Sequence, residues 1–223
     1  MNTPTRAPLC EQAPWFSKLT EAQQKLTRAT VVERSLRAGE CVAHAGELAS
    51  QWIGVASGFL QMSVTGSDGT EAALHFLREG EWGGEGSVLK RERRRYNVVA
   101  IRASEVCLMP APTFELLHAQ SVAFNHFLLA NLNERMGVVT SLLEASRLLE
   151  PDMLVARCLT LLGPGPSSAP LTIAQHQLAS LCGLSRQRTN VALRSLRAQG
   201  IVRVEGQTIE ILDLDRLASC ARV

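Results

Sequence analysis

Gln175 to Leu196 reads QHQLASLCGLSRQRTNVALRSL. Leu178, Ala179, Cys182, Gly183 and Leu184 fall at the spacing of a helix–turn–helix. Ala179 is small where a second helix must cross close to the first, and Gly183 supplies a left-handed turn that a Cβ would penalise. Leu178, Cys182 and Leu184 are the apolar pins between the two helices. Ser185 is placed to cap the second helix, whose inner face is Thr189, Ala192, Leu193 and Leu196. The remaining positions are Arg186, Gln187, Arg188, Asn190 and Arg194. Arg can grip guanine with two hydrogen bonds, and Gln or Asn can do the same to adenine. Early positions of such a helix reach deepest into a DNA groove. Ser185, Arg186, Gln187, Arg188, Asn190 and Arg194 are therefore the candidate DNA contacts. An ordinary helical hairpin with a charged face is the plain alternative.

The flanking sequence extends this unit. Ile201–Val204 and Thr208–Leu212 read as two β-pieces around Glu205-Gly206-Gln207, the wing of a winged helix-turn-helix. Thr172 with Gln175 three residues later reads as a capping box. Residues 163–170, GPGPSSAP, are loop by composition. Asp152–Leu162 is helical, and Pro151 marks a break before it. From Thr113 to Glu150 there is no Pro and one Gly, Gly137. Leu132, Met136, Val139, Leu143 and Ser146 follow the 4-3-4-3 rhythm of a coiled-coil seam. One helix of about 38 residues would be about 57 Å long. Its stripe needs a partner, which points to a homodimer; packing on its own chain is the alternative.

The first half has another texture. Trp15, Phe16, Leu19 and Leu26 belong to a short amphipathic opening. Leu36 to Met109 is a succession of short apolar pieces separated by glycines, as in Trp52–Val55 and Phe59–Val64. That pattern predicts an antiparallel barrel or sandwich, with Ser67-Asp68-Gly69-Thr70 as one hairpin turn. The expected fold is thus α+β. An N-terminal antiparallel β-barrel of jelly-roll kind occupies residues 1–112. A long dimerisation helix spans 113–150, and a C-terminal winged helix-turn-helix spans 151–223.

Composition narrows the function classes. No apolar run approaches the roughly 20 residues of a membrane span, and residues 1–14 do not form a signal peptide, so a cytoplasmic location is expected. The net charge of +2 hides an asymmetry: residues 1–150 carry 15 Lys/Arg against 16 Asp/Glu, and residues 151–223 carry 8 against 5. Five Arg and one acid lie between Gln175 and Glu205, a focus that suits a phosphate backbone. The six cysteines, Cys10, Cys41, Cys107, Cys158, Cys182 and Cys220, form no CxxC pair. They read as reduced and mostly buried, and neither a metal site nor an iron–sulfur cluster is expected. His44, His75, His118, His126 and His176 read as structural or surface residues, so no haem is expected. No Ser/His/Asp, Cys/His, HExxH or phosphate-loop arrangement is present, so catalytic residues are not expected and an enzyme is disfavoured.

In this order, glycine-rich barrel, seam helix, hinge and winged helix-turn-helix, the chain resembles the cyclic-AMP receptor and fumarate–nitrate regulator (Crp/Fnr) family over nearly its whole length. The resemblance is carried by Leu36-Arg-Ala-Gly39-Glu40, Val55-Ala-Ser-Gly58, Gly80-Glu-Trp-Gly-Gly-Glu85 and Leu184-Ser-Arg-Gln187. It implies a homodimer on a palindromic double-stranded operator, with a recognition helix in each major groove. It also implies contact with RNA polymerase, through the 163–170 loop. At two recognition positions this sequence departs from the family: Gln187 replaces an acid, and Val191 an Arg. A half-site unlike TGTGA is therefore expected, with Gln187 or Asn190 reading adenine.

The resemblance further implies a small-molecule effector in the barrel. In cyclic-AMP-binding relatives a Glu holds the ribose, and an Arg ten residues on pairs with the phosphate. Glu85 and Arg95 have that spacing, beside Gly84 and Gly86. Tyr96 and Asn97 replace the family's Ser-Ala pair, so a bulky phenol stands where a small hydroxyl would. Thr140-Ser141 resembles the pair that meets the base, displaced by about two residues. The tentative effector set is Gly84, Glu85, Gly86, Arg95, Tyr96, Thr140 and Ser141, with a cyclic nucleotide as the possible ligand. The run Lys90–Arg95 reads as a solvated basic loop, an anion pocket, or a DNA or polymerase contact. Two functional readings follow: a regulator whose barrel senses an effector and reorients its DNA heads, or an effector-independent regulator whose barrel is a scaffold or protein-docking surface.

Overall fold

The computed structural model describes residues 9–67, 69, 71–163 and 171–221. Two compact units emerge: the described residues up to 64 together with 75–132, and residues 65–74 together with those from 133 onward.

Two antiparallel four-stranded sheets are built from the first unit, apart from Thr65 and residues 71–74, which belong to the second. One has the order β1-β8-β3-β6, formed by β1 (Val32–Leu36), β8 (Ser104–Pro110), β3 (Gln51–Ser57) and β6 (Trp82–Gly83). The other has the order β2-β7-β4-β5, formed by β2 (Cys41–Ala43), β7 (Asn97–Ala100), β4 (Phe59–Thr65) and β5 (Glu71–Arg78). Period-2 alternation sends Ile53, Val55, Val106 and Leu108 of one sheet and Leu60, Met62, Leu77, Val98 and Ala100 of the other into one shared core. The glycine-punctuated strands are therefore present, but as two facing sheets. That is the sandwich form of the expected barrel or sandwich: the ladders of the described strands end at β1 and β6 in one sheet and at β2 and β5 in the other, with no pairing among them that closes the two sheets into one. The expected 67–70 turn falls between β4 and β5; Asp68 and Thr70 lie outside the described residues.

The outer face of the first sheet carries a second core, built on aromatic rings. Trp15, Trp52, Trp82, Phe114 and Phe124 are all at most 3% exposed. The Trp52 ring lies 4.4 Å from Trp82, 5.3 Å from Phe114 and 5.5 Å from Phe124, in tilted and edge-on arrangements that suit ring quadrupoles. Helices cover this face. In α1 (Glu21–Thr30), Thr20 caps the start and the Gln23 side chain accepts in return from the Thr20 N–H.

The expected single helix from 113 to 150 is two helices, α3 (Ala111–Gln120) and α4 (Val122–Leu148). Ser121 leaves the helical region at φ −117°, ψ 105°. Its hydroxyl accepts from the Phe124 N–H at 3.2 Å and so opens α4 as an N-cap. With 27 residues, α4 is about 40 Å long. Its apolar stripe changes along its length: Phe124 and Leu128 are buried, whereas Leu132, Met136, Val139 and Leu143 are 40–65% exposed.

The second unit is helical with a small sheet. Pro151 occupies the first turn of α5 (Pro151–Leu162), where its missing N–H costs nothing. Next come β9 (Leu171–Thr172), α6 (Gln175–Cys182) and α7 (Arg186–Ala198). They are followed by the hairpin β10 (Val202–Glu205) and β11 (Thr208–Ile211), then α8 (Leu214–Cys220). The N-cap of α6 is Ala174, not the expected Thr172, and only the Gln half of a capping box forms: the Ala174 N–H donates to Gln177 Oε1 at 2.9 Å.

Trp52→Ala removes a ring with no exposure and should cost about 3–5 kcal/mol of stability. Guanidinium denaturation of the purified protein measures this; a loss below 1 kcal/mol would show that the aromatic cluster is not the core of this unit.

Candidate functional site

α6 and α7 meet across a turn at Gly183, which takes φ +64°, a conformation in which only glycine is unstrained. The Leu184 N–H closes the turn on the Ala179 carbonyl at 3.0 Å. Leu178, Ala179, Cys182, Thr189, Ala192, Leu193 and Leu196 are at most 5% exposed, so the predicted inner faces are the ones packed. Ser185 caps α7: its hydroxyl accepts from the Arg188 N–H at 3.3 Å, and its own proton stays available for a phosphate oxygen.

The rest of α7 divides into a ridge and two flanks. Gln187, Val191 and Arg194 follow i, i+4, i+7 and lie opposite the packed face. All three are exposed, Val191 at 49%. Arg186 and Arg188 are exposed beside them. Asn190 is different. It is half-buried, its Oδ1 is buried without a hydrogen-bond partner, and it lines a groove of about 500 Å³ between α7 and the β10–β11 hairpin. Gln175, Arg194, Arg197 and Gly206 line the same groove. Sequence reasoning missed Gln175 and Arg197; their signal was the hairpin itself, which turns the Arg197 flank of α7 into a cleft wall. Across that hairpin Arg203 pairs with Glu210 at 2.6 Å.

In the first unit the structure brings Gly84, Glu85 and Tyr96 together, but with Arg94 and not Arg95. Arg95 is 81% exposed and stands 3.8 Å from Glu92. Arg94 is 4% exposed. Its Nη2 donates to the Gln51 carbonyl, and its Nη1 is buried with no hydrogen-bond partner among the described residues. A Cβ at Gly84, which has φ +91°, would stand 2.7 Å from that Nη1 and 3.6 Å from the Tyr96 hydroxyl. Glycine is therefore required here both for the backbone and to make room for the guanidinium. Glu85 is 2% exposed and accepts from Trp52 Nε1 at 3.4 Å. The space beside Gly86, where a Cβ would meet nothing within 4 Å, is open. Arg94 and Tyr96 precede β7 in irregular backbone, so no strand period in the sequence singled out Arg94 over Arg95.

The other residues of the basic run are surface groups. Arg91 forms a two-pronged pair with Glu115, both contacts at 2.9 Å, and Lys90 pairs with Glu92 at 3.0 Å. Thr140 and Ser141 stand on α4 in the second unit. Thr140 is exposed, while the Ser141 hydroxyl accepts from Arg157 Nη1 at 2.8 Å. Arg157 also donates from Nε to the Ala221 carbonyl at 2.9 Å and lies 3.9 Å from Glu144, so one guanidinium joins α4, α5 and the end of α8.

Three of the buried thiols offer no chemistry at neutral pH. Burial pushes Cys10 up to about 11 and Cys107 up to about 12. A hydrogen bond with Cys158, then burial, raises Cys182. Such thiols stay protonated and make poor nucleophiles or metal ligands. No group of His, Cys, Asp or Glu among the described residues could hold a metal ion, and no described helix is long and apolar enough to cross a membrane.

Comparison with known proteins places both regions. Residues 33–121 match the cyclic nucleotide-binding domain, and residues 145–220 match the Crp-like helix-turn-helix domain. The chain is 28% identical over 212 residues to the cyclic AMP receptor protein of Thermus thermophilus, covering 94% of this chain and 97% of that one. It is 23% identical over 188 residues to the cAMP-activated global transcriptional regulator Vfr of Pseudomonas aeruginosa, covering 80% and 88%. Among solved structures, FixK2 of Bradyrhizobium japonicum superposes with a TM-score of 0.75 at 19% identity, over 87% of this chain and 98% of that one.

Proposed function

Because the chain belongs to the Crp/Fnr family of transcription regulators, we propose that it binds a palindromic operator as a homodimer and that an anionic effector in its first unit controls that binding. The observation that carries the DNA part is α7, packed on one side and presenting Gln187 and Arg194 between Arg186 and Arg188 on the other. In a winged helix-turn-helix that face enters the major groove. Arg186, in the first turn, would grip a guanine, and Gln187 an adenine. Ser185 and Arg188 would meet phosphates. Because DNA is the ligand, the cytoplasm is the working compartment. A contact with RNA polymerase is part of the same reading; Gly163 aside, the loop first considered for it lies outside the described residues.

Pairing would use the exposed stripe of α4, whose spacing is that of a coiled coil and whose width exceeds what scattered surface leucines need. The effector reading rests on Arg94. A buried guanidinium keeps its charge, and an unsatisfied N–H there is costly unless an anion arrives to take it. A cyclic nucleotide supplies such an anion, with Glu85 placed for its sugar hydroxyl. The second reading, an effector-independent regulator, is favoured by Tyr96. Its phenol lies beside the same Gly84 and packs partly into the core, occupying space a ligand would use.

Selection of bound sites from random duplex DNA, with and without cyclic AMP or cyclic GMP, separates these readings. A palindrome enriched only with a nucleotide supports the effector; equal enrichment in every sample supports the second reading; no enrichment at low salt rejects both. In the first case Arg94→Ala should abolish the nucleotide response while Arg95→Ala keeps it. Arg186→Ala should weaken operator binding by about 1–3 kcal/mol in a gel-shift titration and relax one position of the site; unchanged affinity and preference would remove Arg186 from base reading. Met136→Glu with Val139→Glu should sediment as a monomer at concentrations where the wild type is a dimer, and a dimeric double variant would put the interface elsewhere.

A further inference from the structure

Val191 is the one apolar member of the α7 ridge and is 49% exposed, while the apolar residues of the packed face, Ala192, Leu193 and Leu196, are at most 2% exposed. The fold makes no use of this side chain. A β-branched residue in mid-helix is also slightly unfavourable compared with alanine, so nothing local asks for valine. Its neighbours on the ridge are Gln187 one turn before and Arg194 one turn after, with Arg188 beside them. This is a polar, cationic surface fit for nucleic acid, with a single aliphatic group at its centre.

The major groove offers such a group one apolar counterpart. Base edges there present donors and acceptors, and the only hydrocarbon among them is the C5 methyl of thymine. We propose that Val191 is a specificity residue that packs against a thymine methyl in each half-site. The proposal rests on the DNA-binding reading above and adds the identity of a base to it. The position of that base follows from geometry. One helical turn is about 5.4 Å and one base-pair step about 3.4 Å. The thymine therefore lies one or two base pairs from the base that Gln187 reads. An arginine here would demand guanine; valine removes that demand and rewards a methyl.

Deoxyuridine tests this directly, because it keeps every hydrogen-bonding edge of thymine and lacks only the methyl. An operator obtained by selection is remade with deoxyuridine at each thymine in turn, and affinities are compared by gel shift. The wild type should lose about fourfold per half-site at one thymine, the worth of burying one methyl, and nothing at the others. Val191→Ala, which alters no packed position, should bind the thymine and uracil forms of that site equally. Val191→Arg should select a site with guanine replacing the A·T pair. The inference is overturned if no single thymine is sensitive to loss of its methyl, or if Val191→Ala retains the wild-type discrimination. If selection yields no site at all, the DNA-binding reading itself falls and takes this inference with it, an outcome distinct from either of those.

Discussion

Trp52 joins the core of the first unit to its candidate pocket. Its ring lies against Trp82, Phe114 and Phe124, and its indole N–H points the other way, to the carboxylate of Glu85. A carboxylate at 2% exposure is tolerable only when its oxygens are held, and this one is held by a member of the buried aromatic cluster. The pocket thus inherits its geometry from the aromatic cluster. The same economy operates at Gly84, where the absence of a Cβ both permits the left-handed turn and leaves room for Arg94.

Much of the fold was legible because it is local. The helix–turn–helix could be read from Ala179, Gly183 and Ser185, since each answers a steric or capping demand made by residues within one turn of it. The hairpin at Gly206 and the helix start at Pro151 are of the same kind. What could not be read depended on phase. The spacing that the family resemblance implied from Glu85 selected Arg95, but Arg94 and Arg95 lie in irregular backbone before β7, where no period in the sequence decides which of two neighbours turns inward. Ser121 likewise was invisible as a break, because serine within a helical pattern is neutral until its hydroxyl finds the N–H three residues on. Between barrel and sandwich the sequence did not choose: glycine spacing announces short strands, but says nothing about whether the edges of two sheets meet.

At the DNA-facing helix, residue type and residue placement carry different information. Asn190 has the chemistry to read adenine, but its side chain enters the groove beside the hairpin, and its Oδ1 waits there for a donor. Val191 has no polar chemistry and stands where a base reader should. A composition-based list favours the first, and geometry favours the second. The groove carries Gln175, Arg194 and Arg197 on its walls, polar and cationic side chains of the kind that meet a sugar–phosphate backbone.

The exposed stripe on α4 has a consequence beyond joining two chains. Leu132, Met136, Val139 and Leu143 are exposed, so under the proposed pairing their burial would be governed by mass action. With pairing through that stripe, the DNA-competent species at low abundance rises with the square of the amount of chain. Gene dosage, protein turnover and dilution at cell division then become inputs to the regulator. Under the proposed pairing, the residues of the seam would set the threshold at which it responds to its own supply.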